Sequence, residues 1–124
     1  MTIAYWCVLV AAFLPFVFTG YAKFSGPGFT NRHPREFQAG LTGVRGRAHA
    51  AHLNSFEAFP PFAAAVIIAH QLQAPQATVD GLALAFIGLR LAYGALYIAD
   101  LHWWRSIVWT LGVGCVVALF VVAA

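Results

Sequence analysis

Charged residues are scarce in this sequence: Asp, Glu, Lys and Arg make up 9% of its 124 residues, whereas hydrophobic residues make up 61%. A soluble domain of this length cannot bury so much apolar surface in a single core. The net charge of +3 is small and scattered along the chain, which excludes a nucleic-acid-binding groove. The composition therefore predicts an integral membrane protein in contact with the lipid bilayer.

Cysteine is also scarce. Cys7 and Cys115 are the two cysteines, and each lies alone in an apolar run, far from the other and without metal-ligand spacing. Both are typical of small packing residues. We therefore expect no metal site, no disulfide and no cysteine nucleophile.

Uncharged runs that are long enough to cross a bilayer predict the fold class. Crossing about 30 Å of hydrocarbon takes roughly 20 helical residues. We expect an all-α membrane protein, a single domain with a bundle of four transmembrane helices. Their expected bounds are about residues 2–22, 42–71, 77–99 and 103–123. The first helix has no basic segment before it and no small-residue cleavage site after it, so we expect it to be retained.

Basic residues predict the orientation. The first loop carries Lys23, Arg32 and Arg35, and the third loop has Arg105 beside it. The second loop and both termini contain no Lys or Arg. The positive-inside rule then places loops one and three in the cytoplasm and both termini outside.

Polar residues form one stripe on each of the two central helices. The stripes consist of Arg47, Asn54 and Glu57 on the second helix and of Arg90, Tyr93, Tyr97 and Asp100 on the third. In an antiparallel hairpin that turns near Ala74, Glu57 lies level with Arg90, and Arg47 lies level with Asp100. We predict two ion pairs there, because a charge at bilayer depth is costly unless it finds a partner.

Two interpretations of the stripes stay open at this point. The ion pairs and hydrogen bonds could simply hold two helices together, since a buried charge needs a partner whatever the function. Alternatively, the polar groups gather toward the cytoplasmic side and outnumber what one helical hairpin needs. A polar cluster that opens to one side is typical of a binding cavity for a charged, hydrophilic ligand.

A longer pattern contains these residues. Arg47 begins the segment RAHAAHLN, Glu57 follows Asn54 by three residues, and FPPF comes after it. RLAYGALY runs from Arg90 to Tyr97, and Arg105 and Ser106 start the last helix. The pattern resembles the MAPEG family, the membrane-associated proteins in eicosanoid and glutathione metabolism, over essentially the whole chain.

The resemblance implies a bacterial-type member, a multi-pass protein of the bacterial inner membrane. It also implies a homotrimer of four-helix subunits, with glutathione bound between neighbouring subunits near the cytoplasmic side. A lipophilic small molecule is the implied second substrate.

Residue by residue, the resemblance implies the following roles. The peptide is held by Arg47, Asn54 and Glu57, and the site is supported or completed by Arg90, Tyr93 and Tyr97. Lys23 matches a basic residue that contacts a glutathione carboxylate, and Arg105 lies close to the Arg that stabilises the thiolate. These contacts suit two carboxylates and an ammonium group, which need several cations and one anion.

The sequence departs from the family pattern at two positions on the second helix. Many members have a second Arg where this chain has Ala50, and several active members have Tyr where it has Ala58. His49 or His52, which we expect near the same face, could replace the missing contact. A solvated interfacial histidine is the simpler interpretation of either residue.

Three hypotheses follow. The first is a glutathione-dependent membrane enzyme, a transferase for lipophilic electrophiles or a peroxidase for lipid hydroperoxides. The second is a MAPEG-fold protein without catalysis that binds a lipid or small amphiphile at the subunit interface. The third is a structural bundle whose ion pairs specify helix packing. Transport fits poorly, because four short helices without an inverted repeat offer no alternating-access machinery.

Overall fold

The computed structural model describes residues 1–124 and consists of five α-helices without strands. The helices are α1 (Ile3–Phe24), α2 (Pro34–Ala39), α3 (Gly43–Gln71), α4 (Gln76–Ile98) and α5 (His102–Ala123). The ends of the four long helices lie within two residues of the predicted bounds. The short helix α2 lies where the sequence indicated only a polar loop. It begins at a proline, whose fixed φ suits the first helical position.

Three of the helices, α1, α4 and α5, are long and apolar enough to cross a membrane. Large apolar side chains such as Phe13, Val17 and Val121 are exposed on the outside of the bundle, where lipid would surround them. The chain is therefore an integral membrane protein. The longest helix, α3, does not meet the same criterion, because polar residues such as Asn54 and Glu57 and the two prolines lower the mean hydropathy of even its most apolar part. A fourth span stays a prediction.

The buried core lies in the half of the bundle away from the basic loop. Phe62 of α3 stacks on Phe86 of α4, with ring centroids 4.0 Å apart and planes within 7°. Leu119 of α5 and Val66 of α3 are completely buried in the same cluster. Both rings are almost inaccessible to solvent, so their stack packs α3 directly against α4.

Close helix contacts depend on small residues and polar caps at particular places. Gly94 of α4 lies so close to Phe18 of α1 that a Cβ there would overlap the ring. At its beginning, α1 is capped twice: Thr2 Oγ1 accepts from the Tyr5 N–H at 3.1 Å, and Asp80 of α4 accepts from the Ala4 N–H at 2.8 Å. The acidic cap suits the positive end of the helix dipole.

At the other end of α1, Arg45 of α3 binds the backbone. Its guanidinium donates to the carbonyls of Ala22, Lys23, Gly26 and Pro27 at 2.8–3.3 Å. Two of these carbonyls belong to the last turn of α1, where they have no partner within the helix. Arg45 therefore fixes the path of the first loop against α3.

Candidate functional site

A chain of hydrogen bonds links Arg90 of α4 to Glu57 of α3. The Arg90 guanidinium donates to Asn54 Oδ1 at 2.8 Å and to Ser55 Oγ at 3.4 Å, and Asn54 Nδ2 donates to Glu57 Oε2 at 3.2 Å. The guanidinium also lies 4.2 Å from the centre of the Tyr93 ring. Because Arg has donors only, it turns the Asn54 carbonyl toward itself and the amide nitrogen toward Glu57. Arg90 is 4% exposed, so the buried cation orients a carboxylate that reaches the surface of the bundle.

The two predicted ion pairs are wrong. Glu57 makes no direct ion pair with Arg90, because the side chains level with Arg90 are those of Asn54 and Ser55, a few residues earlier on α3. Arg47 makes no ion pair with Asp100 and instead donates to the Ile98 carbonyl at 3.1 Å. Asp100 lies beyond the end of α4 with a φ of 62°, so it does not continue the face of that helix.

Arg105 lies beside a small polar cavity between α4 and α5. The cavity has a volume of about 220 Å³ and is lined by Tyr93, Tyr97, Arg105, Ser106 and Trp109. The Arg105 guanidinium lies 4.2 Å from the centre of the Tyr97 ring, and the two tyrosine rings meet edge to face at 5.7 Å. No carboxylate pairs with Arg105. Its charge is therefore free to interact with an anion in the cavity.

A second, mainly apolar cavity of about 250 Å³ lies next to the first. Asn54, Glu57 and Arg90 form its polar end, and its remaining walls are apolar residues of α3, α4 and α5. Trp109 lines both cavities, so the polar space beside Arg105 and the apolar space beside Glu57 are neighbours.

A third cavity lies on the opposite side of α3, against α1 and α2. Its volume is about 620 Å³, and its polar lining includes Lys23, Arg35, Gln38, His49 and His52. No acidic residue lines it. Gln38 is buried and approaches His49 Nδ1 at 3.4 Å, while His52 Nδ1 is buried without a hydrogen-bond partner. Burial lowers the pKa of His49, which lies in the second turn of α3, so this histidine tends to stay neutral.

The predicted site residues therefore fall into separate groups. Six of them surround the first two cavities: Asn54, Glu57, Arg90, Tyr93, Tyr97 and Arg105. Lys23 and His52 line the third cavity instead, and Arg47 binds the end of α4. His49 and His52, expected near the face of Ala50, both line the third cavity on the α1 side of α3, away from Asn54 and Glu57. Successive helical residues turn by about 100°, so His52 and Asn54 point in nearly opposite directions.

Two contributors, Ser55 and Gln38, were not singled out from the sequence. Ser55 accepts from Arg90, and Gln38 donates to Thr19 Oγ1 at 2.6 Å in the third cavity. Trp109, for which the sequence left a pocket wall and a lipid-facing position equally open, lines both of the first two cavities. Trp109 follows Arg105 by four residues, so helical spacing could have placed both on one face. Gln38 lies on the short helix α2, and no periodic signal marks a helix of six residues.

Comparison with known proteins gives one match. The family model described as "MAPEG family" matches residues 3–124, essentially the whole chain. No curated protein and no solved structure matches the chain.

Proposed function

Because this chain belongs to the MAPEG family, we propose that it is a glutathione-dependent membrane enzyme. Its reaction would be the transfer of glutathione to a lipophilic electrophile or the reduction of a lipid hydroperoxide. The observation that carries the proposal is an unpaired arginine, Arg105, at a cavity that adjoins the polar network of Arg90, Asn54 and Glu57.

The donor set suits glutathione. Glutathione carries two carboxylates, one ammonium group and amides, so its site needs cations, one anion and hydrogen-bonding groups. Arg90 and Arg105 are cations on this side of the bundle, Glu57 is an exposed carboxylate, and Asn54 offers an amide. Arg47 was expected to hold the peptide, but its contact with the Ile98 carbonyl assigns it a supporting role at the end of α4.

The split between the two faces of α3 supports a closed ring of copies, and the family resemblance sets the proposed number at three. Lys23 and His52 lie on the α1 side, and the Arg90 network lies on the α5 side, so one protomer cannot bring them together. A closed ring of copies joins two different faces of neighbouring subunits. In such a ring the third cavity of one subunit, which Lys23 and His52 line, would face the Arg90 network of the next subunit. Glutathione would lie between them.

Arg105 is the proposed activating residue. A thiol attacks electrophiles as its thiolate, and a neighbouring cation lowers a thiol pKa. The Arg105 guanidinium has no carboxylate partner, so an incoming anion meets its full charge. Tyr97 supports the guanidinium from one side with its ring.

The membrane arrangement is part of the proposal. α3 would be the fourth span, with its first two turns outside the bilayer. The basic first loop and Arg105 would face the cytoplasm of a bacterium, with both termini on the other side of the inner membrane.

Binding and turnover test the proposal directly. Wild-type protein in detergent should bind glutathione by titration calorimetry and conjugate it to 1-chloro-2,4-dinitrobenzene. Arg105→Ala should lower kcat by about a hundredfold, because the thiolate loses its electrostatic partner. Arg32→Ala, which removes an exposed charge of the first loop, should not change it.

Two outcomes would contradict the proposal. Absence of both glutathione binding and conjugation in the wild type would favour a non-catalytic protein that binds an amphiphile. Loss of the trimer in Arg105→Ala, seen by size-exclusion chromatography, would show that Arg105 holds subunits together instead.

A further inference from the structure

The apolar cavity of about 250 Å³ is lined by a glycine, Gly112, where any other residue would place a side chain. Gly112 of α5 is buried, yet a Cβ built on it meets only one atom, of the Phe86 ring, at 4.0 Å. A buried glycine normally marks a close approach of two helices, as Gly94 does beside Phe18. At Gly112 the space is open, and on the facing helix α3 the lining residue Ala58 is also small.

The far wall of this cavity is rigid. Phe86 is 3% exposed and stacks on the completely buried Phe62. Its ring cannot turn into the cavity without breaking that stack. A larger side chain at position 58 or 112, on the two helices that face each other, would therefore take up part of this volume.

We propose that this cavity takes the apolar tail of the lipophilic acceptor and that Gly112 sets the length of tail that it accepts. The inference rests on the proposed function and adds to it a substrate class, electrophiles with an unbranched alkyl chain. The cavity adjoins the Arg105 cavity through Trp109, so a tail inside it holds the reactive end near the polar groups.

The volume gives the expected length. An engineered cavity of about 150 Å³ holds one benzene molecule, so by proportion a cavity of about 250 Å³ holds roughly ten carbon atoms. A leucine side chain at position 112 would occupy the space of about four of them.

A series of 2-alkenals with 4 to 12 carbons tests the inference, because its members differ only in tail length. In the reaction, the sulfur of glutathione bonds to the β-carbon. The thiol proton passes to water as the thiolate forms, the electron pair of the C=C bond moves to the α-carbon, and the α-carbon takes a proton back from water, so nothing is oxidised. At each length, the kcat/KM of Gly112→Leu is divided by that of the wild type. In this ratio, the partitioning of substrate into detergent cancels.

The expected ratio is close to one for the shortest alkenal. It should fall by about tenfold or more for chains of ten carbons, since a side chain and a long tail cannot share the same space. Gly114→Leu is the matched control: it adds the same side chain two residues away, at an exposed position with nothing within 4 Å. Its ratio should stay near one at every length. Ala58→Leu, on the facing helix, should repeat the effect of Gly112→Leu if the latter does not fold.

The opposite results are equally specific. A Gly112→Leu profile parallel to that of the wild type would overturn the inference. The inference would also be overturned if Gly112→Leu changed the trimer but left the dependence of kcat/KM on chain length unchanged. A neighbouring subunit would then fill the cavity. If the wild type conjugates 1-chloro-2,4-dinitrobenzene but turns over no alkenal, the inferred substrate class is wrong and the proposed function stands. If it turns over neither, the proposed function fails, and quenching by bromoalkanes of the same lengths tests the cavity by itself. Bromodecane should quench Trp109 fluorescence in wild type and in Gly114→Leu, with Trp109→Phe as the blank, and quench less in Gly112→Leu; equal quenching in all three would contradict the inference.

Discussion

Two arginines of this bundle, Arg45 and Arg90, are both held by hydrogen bonds, and the groups that they bind differ. Arg45 donates to four backbone carbonyls at the end of α1 and in the first loop. Arg90 donates to the side chains of Asn54 and Ser55 on α3. Arg45 therefore stabilises a chain path, whereas Arg90 orients side chains that lead to an exposed carboxylate.

The difference separates an arginine that the backbone alone explains from one that it does not. Carbonyls at a helix end need donors in any protein of this fold, so Arg45 is explained by the backbone alone. The Arg90 network has no such backbone requirement. It buries a cation in order to fix an amide and a carboxylate beside two cavities, and such an arrangement at bilayer depth is typical of a ligand site.

Removing the Arg90 guanidinium should have the largest effect. In Arg90→Met we expect the affinity for glutathione to fall by about a hundredfold, because Asn54 loses the donor that orients it and Glu57 loses its fixed position. Titration calorimetry on trimeric protein measures the change, and Arg32→Met is the control for loss of one positive charge. An affinity within twofold of the wild type would mean that Arg90 only packs the helices.

Removing the Arg45 guanidinium should affect stability more than binding. In Arg45→Met we expect the free energy of unfolding to fall by about 2–3 kcal/mol, because the carbonyls at the end of α1 lose charged donors but remain accessible to water. Chemical unfolding in detergent, followed by circular dichroism, gives the value. The affinity for glutathione should change by less than about threefold. A larger loss of affinity with unchanged stability would remove the distinction between the two arginines.

The helices could be predicted well from the sequence because hydropathy and length dominate them. Lipid requires long uncharged helices, and prolines, glycines and charges mark their ends. The short helix α2 could not be predicted in this way, since six residues contain less than two turns of any periodic pattern. Its buried Gln38 became visible only through its contacts with Thr19 and His49.

The contacts within the site were harder to predict than the helices. Pairing residues of two helices that lie at the same depth assumes straight helices and short side chains. The stripes correctly brought together residues of α3 and α4, but the real contact of Arg90 is with Asn54 and Ser55. An arginine side chain spans more than one helical turn, so it can bind a neighbour of the residue opposite. The two faces of α3 were predictable in principle, since His52 and Asn54 are separated by about 200° of helix.

The smallest effect in this comparison is expected at Ser55. Its hydroxyl donates to the Ala51 carbonyl at 2.8 Å and accepts from Arg90 at 3.4 Å, so Ser55→Ala removes one of the two side-chain hydrogen bonds of the guanidinium. Loss of one such hydrogen bond costs about 1 kcal/mol of stability, so the loss of glutathione affinity measured by calorimetry should not exceed about fivefold. Thr110→Val is the matched control, because the Thr110 hydroxyl also donates to a carbonyl four residues earlier, at 2.9 Å, but has no contact with an arginine. If both variants lose affinity equally, the helix backbone and not the Arg90 network is responsible. If Ser55→Ala alone loses it, the two contacts of Arg90 act together to orient Asn54 and Glu57.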